Sequence, residues 1–260
     1  MEVEAEYACF NGRRTLKRIE TSEPVWQKIE SGISIKDLTQ PENYYLNRKI
    51  IIVDDSSSID ISNENSSRID IVTFPPEPEK SINLSGYKLE YNVSFCGMDL
   101  NENQPIQPLS DLDLKIELCN HSQRRQFIDE ICRSIDKNID SSIISAKENF
   151  YCTDNFKCYL AKFDNQVVGL ATLFISGETG RLANAFTYLK YREQGVHSML
   201  INKRIEDAGK LGLRYLVTEV EADSKGERNI KRLAFSAIAS GAVWIKDYNS
   251  SNDLYGAFCP

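Results

Sequence analysis

The hydrophobic and polar positions of the first half of the chain predict several short strands. Residues 49–53 and 68–73 are bounded runs typical of strands, and residues 87–95 alternate between hydrophobic and polar residues, as a β-strand with one buried face does. Residues 21–30 differ, because Ser22 precedes an acidic residue and a proline. These are helix-start signals, and they predict a capped helix over this segment.

The second half of the chain shows a more regular order of elements. Hydrophobic residues recur at helical spacing after the capping-box signal Asn120-His-Ser-Gln123 and again after residue 196, and Asp164-Asn-Gln166 predicts a hairpin turn. The predicted elements are a strand at 114–118, a helix after Gln123, strands at 158–163, 167–175 and 183–189, a helix at 196–211 ended by Gly212, a strand at 215–220, a short helix at 229–233 and a strand at 242–245.

This order of elements predicts the fold class. Three strands joined by short turns form an antiparallel meander, whereas the strand, helix and strand between residues 183 and 220 predict a parallel pair. We therefore expect a mixed α/β protein, with a central mixed sheet flanked by helices. A divergent N-terminal α+β domain precedes it. The polar segment 99–108 marks the boundary and divides the chain into domains 1–108 and 109–260.

Composition and charge narrow the classes of function. The chain has 260 residues, is 41% hydrophobic and 27% charged, and carries a formal net charge of −7. That charge argues against nucleic acid as a partner, because phosphate binding needs a basic surface. No apolar run is long enough for a membrane span and the acidic start lacks signal-peptide features, so we expect no membrane partner and a cytoplasmic location. The seven cysteines form no Cys-x-x-Cys pair, and we expect no metal.

One stretch between a predicted strand and a predicted helix is suited to binding an anion. It reads Lys190-Tyr-Arg-Glu-Gln-Gly-Val-His-Ser-Met199. The first N–H groups of a helix have no partner within it and lie at the positive end of its dipole. Gly195 lacks a Cβ and lets the backbone approach an anion, although a plain turn glycine is the alternative.

The same stretch carries a family resemblance. The motif Arg192-x-x-Gly195-x-His197 resembles the Gln/Arg-x-x-Gly-x-Gly/Ala turn of the GCN5-related N-acetyltransferase (GNAT) family, and it follows a meander and opens a helix as that turn does. Downstream, Leu216-Val-Thr-Glu219 and Asn229-Ile-Lys-Arg-Leu-Ala-Phe235 resemble the family's next strand and helix. The resemblance covers about residues 112–248 and implies a GNAT-like acyl-CoA N-acyltransferase fold.

The first half of the chain resembles that pattern only weakly. Residues 82–87, followed by a strand, resemble Lys231-Arg-Leu-Ala-Phe235 followed by a strand, but no turn of the Arg-x-x-Gly type precedes them. Residues 1–108 are therefore either a degenerate GNAT-like repeat without a cofactor turn or an unrelated cap or dimerisation domain. A homodimer stays open as the assembly.

The resemblance implies acetyl-CoA, or another acyl-CoA, as co-substrate. Its pyrophosphate would bind at the turn, and its pantetheine arm would lie between two splayed strands, against the exposed backbone of Tyr188 and Leu189. Asn229 would approach the arm from the other side, or act as a helix N-cap, or both. The predicted cofactor-binding residues are Tyr188, Leu189, Lys190, Arg192, Glu193, Gln194, Gly195, Val196, His197, Ser198 and Asn229.

The resemblance also implies the reaction. The family moves an acetyl group to an amine by direct attack on the thioester, so a primary amine of a small molecule or peptide is the expected acceptor. A base must take a proton from the ammonium. Glu219 is the predicted catalytic residue, because it lies mid-strand beside the gap; the alternative is that it faces solvent or pairs with a lysine. Glu178 and Asp223 are weaker choices.

Two positions depart from the family pattern. Ile230 stands where the family has a proton-donating tyrosine, so the thiolate leaves without an acid or uses another tyrosine, of which the candidates are Tyr188, Tyr191 and Tyr255. Ala234 stands where the family has a glycine, and an alanine is free of strain there only if its φ is negative. Both departures support a rival interpretation, a non-catalytic acyl-CoA-binding or protein-interaction module.

His197 occupies a position that is usually small in the family. Its side chain either reaches towards the CoA phosphates or packs along the helix. The helix dipole disfavours a protonated histidine there by about 0.3–1 kcal/mol, whereas nearby phosphates favour it. We predict a modest aid to CoA binding, with packing as the alternative, and no catalytic role.

Overall fold

The computed structural model describes residues 1–41, 43–53, 66–76, 84, 86–102, 110 and 112–247. These residues form two compact units. The first contains the described residues of Met1–Gly12, Ser22–Gly97 and Glu219–Cys259, and the second contains those of Arg13–Thr21 and Met98–Thr218. The predicted boundary after residue 108 therefore does not coincide with a boundary between compact units.

The first unit is a six-stranded sheet with two helices. Its strand order is β1-β2-β3-β4-β11-β5. Strand β11 is antiparallel to both β4 and β5, whereas β3 and β4 are parallel. The elements are α1 (Glu2–Arg14), β1 (Val25–Ile29), β2 (Gly32–Lys36), β3 (Arg48–Val53), β4 (Arg68–Thr73), β5 (Tyr87–Asp99), α5 (Lys225–Arg232) and β11 (Ser236–Lys246). The last two residues of α1 and the last two of β5 are counted in the second unit.

Helix α1 covers one face of this sheet. Its inner residues Ala5, Ala8 and Cys9 are small, so the helix can lie close to the strands. They pack in one buried cluster with aliphatic and aromatic residues of the sheet, among them Val72 and Phe95. The opposite face has its own buried cluster, made by Ile51, Ile69, Ile71, Leu84 and Trp244. The unit therefore buries both faces of its central strands.

The second unit contains the turn that the sequence singled out. Its strand order is β10-β9-β8-β7-β6. The meander β7-β8-β9 is antiparallel, and β9 and β10 are parallel, as predicted. The elements are β6 (Lys115–Leu118), α2 (Arg124–Ser134), α3 (Ser141–Lys147), β7 (Phe156–Phe163), β8 (Gln166–Ser176), β9 (Thr179–Thr187), α4 (Val196–Lys210) and β10 (Tyr215–Glu221), whose last three residues are counted in the first unit.

Helices α2 and α4 lie on opposite faces of the meander. Helix α4 approaches closely, because a Cβ built on Gly169 of β8 would lie 3.0 Å from Val196 and 3.3 Å from Leu200. On the other face, Phe127 of α2 packs against Tyr151, with ring centroids 6.2 Å apart. The two faces of the strands that flank the candidate site are therefore covered by different helices.

Several local predictions are confirmed. Asn120 caps the first turn after β6, with reciprocal hydrogen bonds to Gln123. Asp164 and Asn165 have φ of +48° and +62° in the turn of the β7-β8 hairpin, as a two-residue hairpin turn of mirror-image type requires. Gly212 has φ of +73° just after α4, which is the usual end of a helix.

Other local predictions are wrong or outside the described residues. Residues 21–30 contain strand β1 and no helix, because Trp26 pairs with Ile35 and the Val, Trp and Ile side chains favour a strand over the proline signal. The helices α1 and α3 and strand β2 were not predicted from the sequence. Ile82, Asn83 and Ser85, and Tyr255, lie outside the part of the chain that the structure describes.

Candidate active site

The turn between β9 and α4 holds two residues in the left-handed region. Glu193 has φ of +66°, and Gly195, the N-cap residue of α4, has φ of +83°. A residue with a Cβ pays roughly 1–2 kcal/mol for this conformation. The glycine at 195 is therefore explained by the backbone itself, and an approaching anion is a second, compatible reason for it.

The start of α4 offers backbone donors. Met199 N–H donates to the Gly195 carbonyl at 3.0 Å, so the amides of residues 196–198 precede this bond, and nothing earlier in the helix can accept from them. Helix α4 is 15 residues long, and its positive end lies at this turn. Lys190 and Arg192 are exposed beside it. The turn thus combines oriented N–H groups with two cationic side chains, a set suited to a phosphate.

Side chains within the turn hold its shape. The Arg192 Nε donates to the Thr187 carbonyl at 3.2 Å, and the Gln194 Nε2 donates to the Lys190 carbonyl at 2.9 Å. The Ser110 hydroxyl donates a hydrogen bond to the Gln194 carbonyl at 2.8 Å. Gln194 and Arg192 therefore stabilise the turn itself, a role that the sequence did not predict for either side chain.

A cavity of about 350 Å³ opens beside this turn. Its aromatic wall is formed by Phe163 and Tyr191, whose ring centroids lie 6.4 Å apart. The Lys190 ammonium lies 5.3 Å from the centre of the Tyr191 ring. The cavity is lined by Leu112, Phe163, Asp164, Gln166, Lys190, Tyr191 and Gln194.

His197 is half-buried in the first turn of α4. Burial, and then the charge of Arg204 about two turns further along the same face of the helix, lower the pKa of His197 to about 4 from its ordinary 6.5. Arg204 is itself buried and donates to the Leu200 and Thr172 carbonyls at 3.0 Å. His197 is therefore neutral near pH 7, so it offers a CoA phosphate a neutral ring and no positive charge.

Strands β9 and β10 separate towards the turn. They pair only from Tyr215↔Thr179 to Val217↔Arg181 among the described residues. One residue further, the Thr218 side chain takes over, and its Oγ1 donates to the Leu182 carbonyl at 3.2 Å. From there β9 runs on to Thr187 without a ladder to β10. The ladder between β9 and β10 thus ends before residues 183–187 of β9.

The backbone groups predicted to face this gap are not those of Tyr188. Its N–H donates to the Val168 carbonyl of β8 at 3.0 Å, and its carbonyl accepts from Tyr191 N–H at 2.8 Å. Leu189 lies beyond the end of β9. Because successive residues of a strand turn their N–H and C=O groups to opposite edges, Ala185 and Thr187 face the gap instead. Binding of a cofactor by Tyr188 and Leu189 remains a prediction, and the strand geometry adds Ala185 and Thr187 as candidates.

Three predicted residues lie in the first unit, at or after α5. Asn229 lies inside α5, whose N-cap is Ser224 with its Oγ accepting from Glu227 N–H at 3.1 Å, so the N-cap interpretation of Asn229 is wrong. Ile230 is buried at 3% exposure and offers no proton. Ala234 has φ of +65°, so this alanine adopts the conformation expected of the family's glycine and is strained.

Glu219, the predicted base, lies in β10 within the first unit and is half-buried. Burial alone would lower the pKa of Arg68, but the charges of Asp70, Tyr91 and Glu219 raise it above its ordinary value. Arg68 also donates to Asp70, at 3.1 Å through its Nη2. A fixed guanidinium thus lies close enough to compete with an acceptor ammonium for Glu219.

The weaker candidates for the base lie in turns. The Glu178 carbonyl accepts from Arg214 N–H at 2.9 Å and Tyr215 N–H at 3.1 Å, at the paired end of β9 and β10. Asp223 has φ of +60°, and its N–H donates to Glu227 at 2.9 Å. Both positions shape the backbone where their strands begin or end. Neither carboxylate is brought to the glycine turn by a contact of the described residues.

Sequence reasoning missed a buried carboxylate in the unit that holds the turn. Glu130 of α2 is 5% exposed, and its Oε2 accepts from the Tyr188 hydroxyl at 2.9 Å. The helical spacing had marked the hydrophobic residues around it as the inner face. A charged residue on that inner face was the signal that could have identified it. Among the residues that the structure describes, no cluster of His, Cys, Asp and Glu is arranged to hold a metal ion.

The architecture defines a class of protein. An antiparallel meander, a glycine-capped helix and a parallel strand that leaves its neighbour near that cap are the framework expected of GCN5-related N-acetyltransferases. Residues 125–235 match the model of the acetyltransferase (GNAT) family. The resemblance read from the sequence is confirmed, and this part of the chain is a GNAT-family domain. None of the curated proteins matches the chain.

Solved structures extend the likeness beyond that domain. A GCN5-related N-acetyltransferase from Kribbella flavida has a TM-score of 0.58 and 12% identity over 94% of this chain and 94% of that one. A conserved protein of unknown function from Staphylococcus epidermidis gives 0.57 and 13% over 86% and 95%. A GCN5-related N-acetyltransferase from Sphaerobacter thermophilus gives 0.55 and 13% over 72% and 62%. At these identities the likeness shows the fold, and the predicted fold class is confirmed.

Proposed function

We propose that this chain is an acyl-CoA-dependent N-acyltransferase. It moves an acetyl group from acetyl-CoA to a primary amine of a small molecule or peptide, by direct attack of the amine on the thioester. One observation carries the proposal: the glycine-capped start of α4 follows β9 across the turn at residues 188–195, after β9 has stopped pairing with β10. An anion site and an unpaired strand edge thus adjoin, as a cofactor with a pyrophosphate and an amide-rich arm requires.

Each part of the cofactor has a group to meet. The amides of residues 196–198 suit the pyrophosphate, with Lys190 and Arg192 as neighbouring cations. The edge of β9 at Ala185 and Thr187 suits the amides of the pantetheine arm, and an N–H there can polarise the thioester carbonyl. The contact predicted for Asn229 and the role of base predicted for Glu219 remain predictions.

A second candidate function is a non-catalytic acyl-CoA-binding module. It is favoured by Ile230, which is buried where the family has its proton-donating tyrosine. The two functions agree on the cofactor and differ in turnover. A catalyst releases the free thiol of CoA only when an acceptor amine is added. A binding module is stabilised by acetyl-CoA but releases no thiol.

The cofactor site is tested by thermal unfolding with and without acetyl-CoA. Binding to the folded state alone stabilises by about 2.7 kcal/mol at a ligand concentration of 100 Kd, so the melting temperature should rise with acetyl-CoA. Gly195→Ala should lose most of that rise. Gly177→Ala is the matched control, because Gly177 also has a positive φ, +53°, in a turn with open space around it. Both variants carry similar strain, and only the first should lose acetyl-CoA binding.

Thiol release across a panel of amines then separates the two functions. Release that depends on an amine supports the transferase. Stabilisation by acetyl-CoA without release for any amine favours the binding module. Absence of stabilisation at high acetyl-CoA contradicts both, and equal loss of the rise in the two glycine variants contradicts the assignment of the turn.

A further inference from the structure

Strand β9 presents two different faces beside the gap. Thr187 pairs with Gly169, and a Cβ on Gly169 would point at α4, so Thr187 and Ala185 lie on the face that α4 covers. Asn184, Phe186 and Tyr188 lie on the opposite face by strand alternation. If the pyrophosphate binds at the start of α4, the acceptor side of the site falls on the opposite face of β9, where α2 contributes side chains.

That opposite face carries a buried carboxylate. The Glu130 Oε2 accepts from the Tyr188 hydroxyl at 2.9 Å, and its Oε1 accepts from the Arg133 Nη1 at 2.9 Å. The Glu130 side chain is 7% exposed and that of Arg133 is 65% exposed. A carboxylate can accept about four hydrogen bonds, so these two leave room for an ammonium. Glutamate is rarely buried unless it is paired, and here both oxygens of Glu130 have a partner, one from its own helix and one from the end of β9.

We propose that Glu130 binds the ammonium of the acceptor and takes its proton, and that Tyr188 donates a proton to the departing sulfur. The proposal rests on the proposed function, because it gives the acceptor side of the same site. Its geometric basis is one continuous contact chain within the second unit, from the end of β9 through the Tyr188 hydroxyl to a carboxylate on α2.

The proton balance closes with these two groups. Glu130 takes one proton from the ammonium, and the neutral amine forms the N–C bond at the thioester carbon. As the C–S bond breaks, Tyr188 gives its proton to the sulfur and recovers one from the protonated Glu130. The carboxylate then accepts the second nitrogen proton and passes it to solvent. The sum is ammonium plus thioester giving amide, thiol and one released proton.

The state of Tyr188 fits the donor role. Burial, and then the hydrogen bond to Glu130 and its charge, raise the pKa of Tyr188 well above 10. The hydroxyl is therefore protonated at the start of the reaction. Once Glu130 has taken a proton, the negative charge that opposes loss of the tyrosine proton is gone. The Phe186 ring, 5.1 Å from the Tyr188 ring in an edge contact, fixes its direction.

The charges around Glu130 indicate the class of acceptor. Besides Arg133, the buried Arg14 lies on this face, with its Nη2 donating to Asn184 at 2.6 Å. Two guanidiniums and one carboxylate accommodate a single ammonium and repel a second one. The acceptor should therefore carry one primary ammonium on a neutral or anionic remainder, as an amino acid or ethanolamine does, and not a polycation such as spermidine.

The test compares Glu130→Gln and Tyr188→Phe with Asp129→Asn, an exposed neighbour on the same helix. Glu130→Gln should lose about 100-fold or more in kcat/KM for the amine, and Tyr188→Phe should lower kcat with little change in the KM of the amine. The affinity for acetyl-CoA should stay within about twofold in all three, and Asp129→Asn should keep wild-type rates. Tyr188→Phe keeps the ring and its packing, so it reports on the hydroxyl even where Glu130→Gln folds poorly.

The outcomes separate this inference from the proposed function. If Glu130→Gln and Tyr188→Phe both keep the wild-type turnover within threefold, the inference is overturned and the proposed transferase function stands. A matching loss of turnover in Glu219→Gln alone would assign the role of base to Glu219. Faster turnover of spermidine than of glycine and ethanolamine overturns the acceptor class. Absence of turnover in the wild-type protein with every amine overturns the proposed function and this inference together.

Discussion

Ala234 shows how a single residue can keep a backbone geometry that its side chain disfavours. It lies between α5 and β11 with φ of +65°, and its N–H donates to the Lys231 carbonyl at 3.3 Å. The sequence predicted an unstrained alanine only at negative φ, and that condition is not met. The surrounding helix end and strand start therefore impose the conformation that a glycine adopts freely.

Ala234→Gly is accordingly expected to stabilise the protein. Relief of the Cβ strain should exceed the added chain entropy of glycine, for a net gain of about 0.5–1 kcal/mol. Urea unfolding measures the gain. Ala242→Gly in β11 is the control, because Ala242 is regularly paired with both neighbouring strands and is not among the residues with positive φ, so the same change should cost about 0.5–1 kcal/mol there. A less stable Ala234→Gly protein would contradict the strain argument.

His197 gives a second residue-scale consequence, in the dependence of stability on pH. Its pKa is lowered to about 4 in the folded protein, from an ordinary 6.5, chiefly by burial. Between pH 4 and pH 6.5 the unfolded chain binds more protons at His197 than the folded one does. The contribution of neutral His197 to the free energy of unfolding is therefore fully present above about pH 6.5, and it is lost as the pH drops towards 4.

His197→Gln should remove this part of the acid sensitivity. Between pH 7.5 and pH 5 the wild-type protein should lose about 1–2 kcal/mol more than the variant, as measured by urea unfolding at both values. His121→Gln is the matched control, because His121 is exposed. An equal loss in wild type and His197→Gln would show that the imidazole is not held neutral. The acetyl-CoA affinity of wild type should also change little between pH 6 and pH 8, since His197 stays neutral across that range.

At the scale of elements, the sequence predicted the second half of the chain well because its signals are local. Strand alternation, the Asn120 capping box and the glycine that ends α4 each act within a few residues. The turn at Gly195 was recognised for the same reason. The helix predicted at residues 21–30 became β1, because pairing of Trp26 with Ile35 of β2 outweighs a local proline signal.

The gap between β9 and β10 shows what the sequence left undetermined. The separation of these strands was expected from the resemblance, but the residues facing it depend on which edge of β9 is used by β8. The Tyr188 N–H bond to Val168 settles that choice, and it moves the available backbone groups to Ala185 and Thr187. Glu130 was overlooked for a related reason: the pairing of an α2 side chain with the end of β9 is a long-range contact that no local pattern encodes.

At the scale of the whole molecule, each compact unit is assembled from distant parts of the chain. In the first unit, β11 lies between β4 and β5 and pairs with both. In the second unit, Arg14 donates to the Tyr151 hydroxyl at 3.1 Å and lies 4.8 Å from the centre of the Phe156 ring. None of the described helices is long and apolar enough to cross a membrane. The division of the sequence after residue 108 cuts through both sets of contacts.

A fragment of residues 109–260 is therefore expected not to fold cooperatively by itself. Strand β11 would lose both of its neighbours, and its buried residues Val243 and Trp244 would be exposed. The second unit would lose Arg14, whose bonds and ring contacts are worth roughly 2–4 kcal/mol together. Circular dichroism with urea should show a broad or absent transition for the fragment. The intact chain should give a sharp one, and adding a fragment of residues 1–108 should restore part of that cooperativity. A sharp transition in the isolated 109–260 fragment would instead show that this half is an autonomous domain, as the sequence alone predicts.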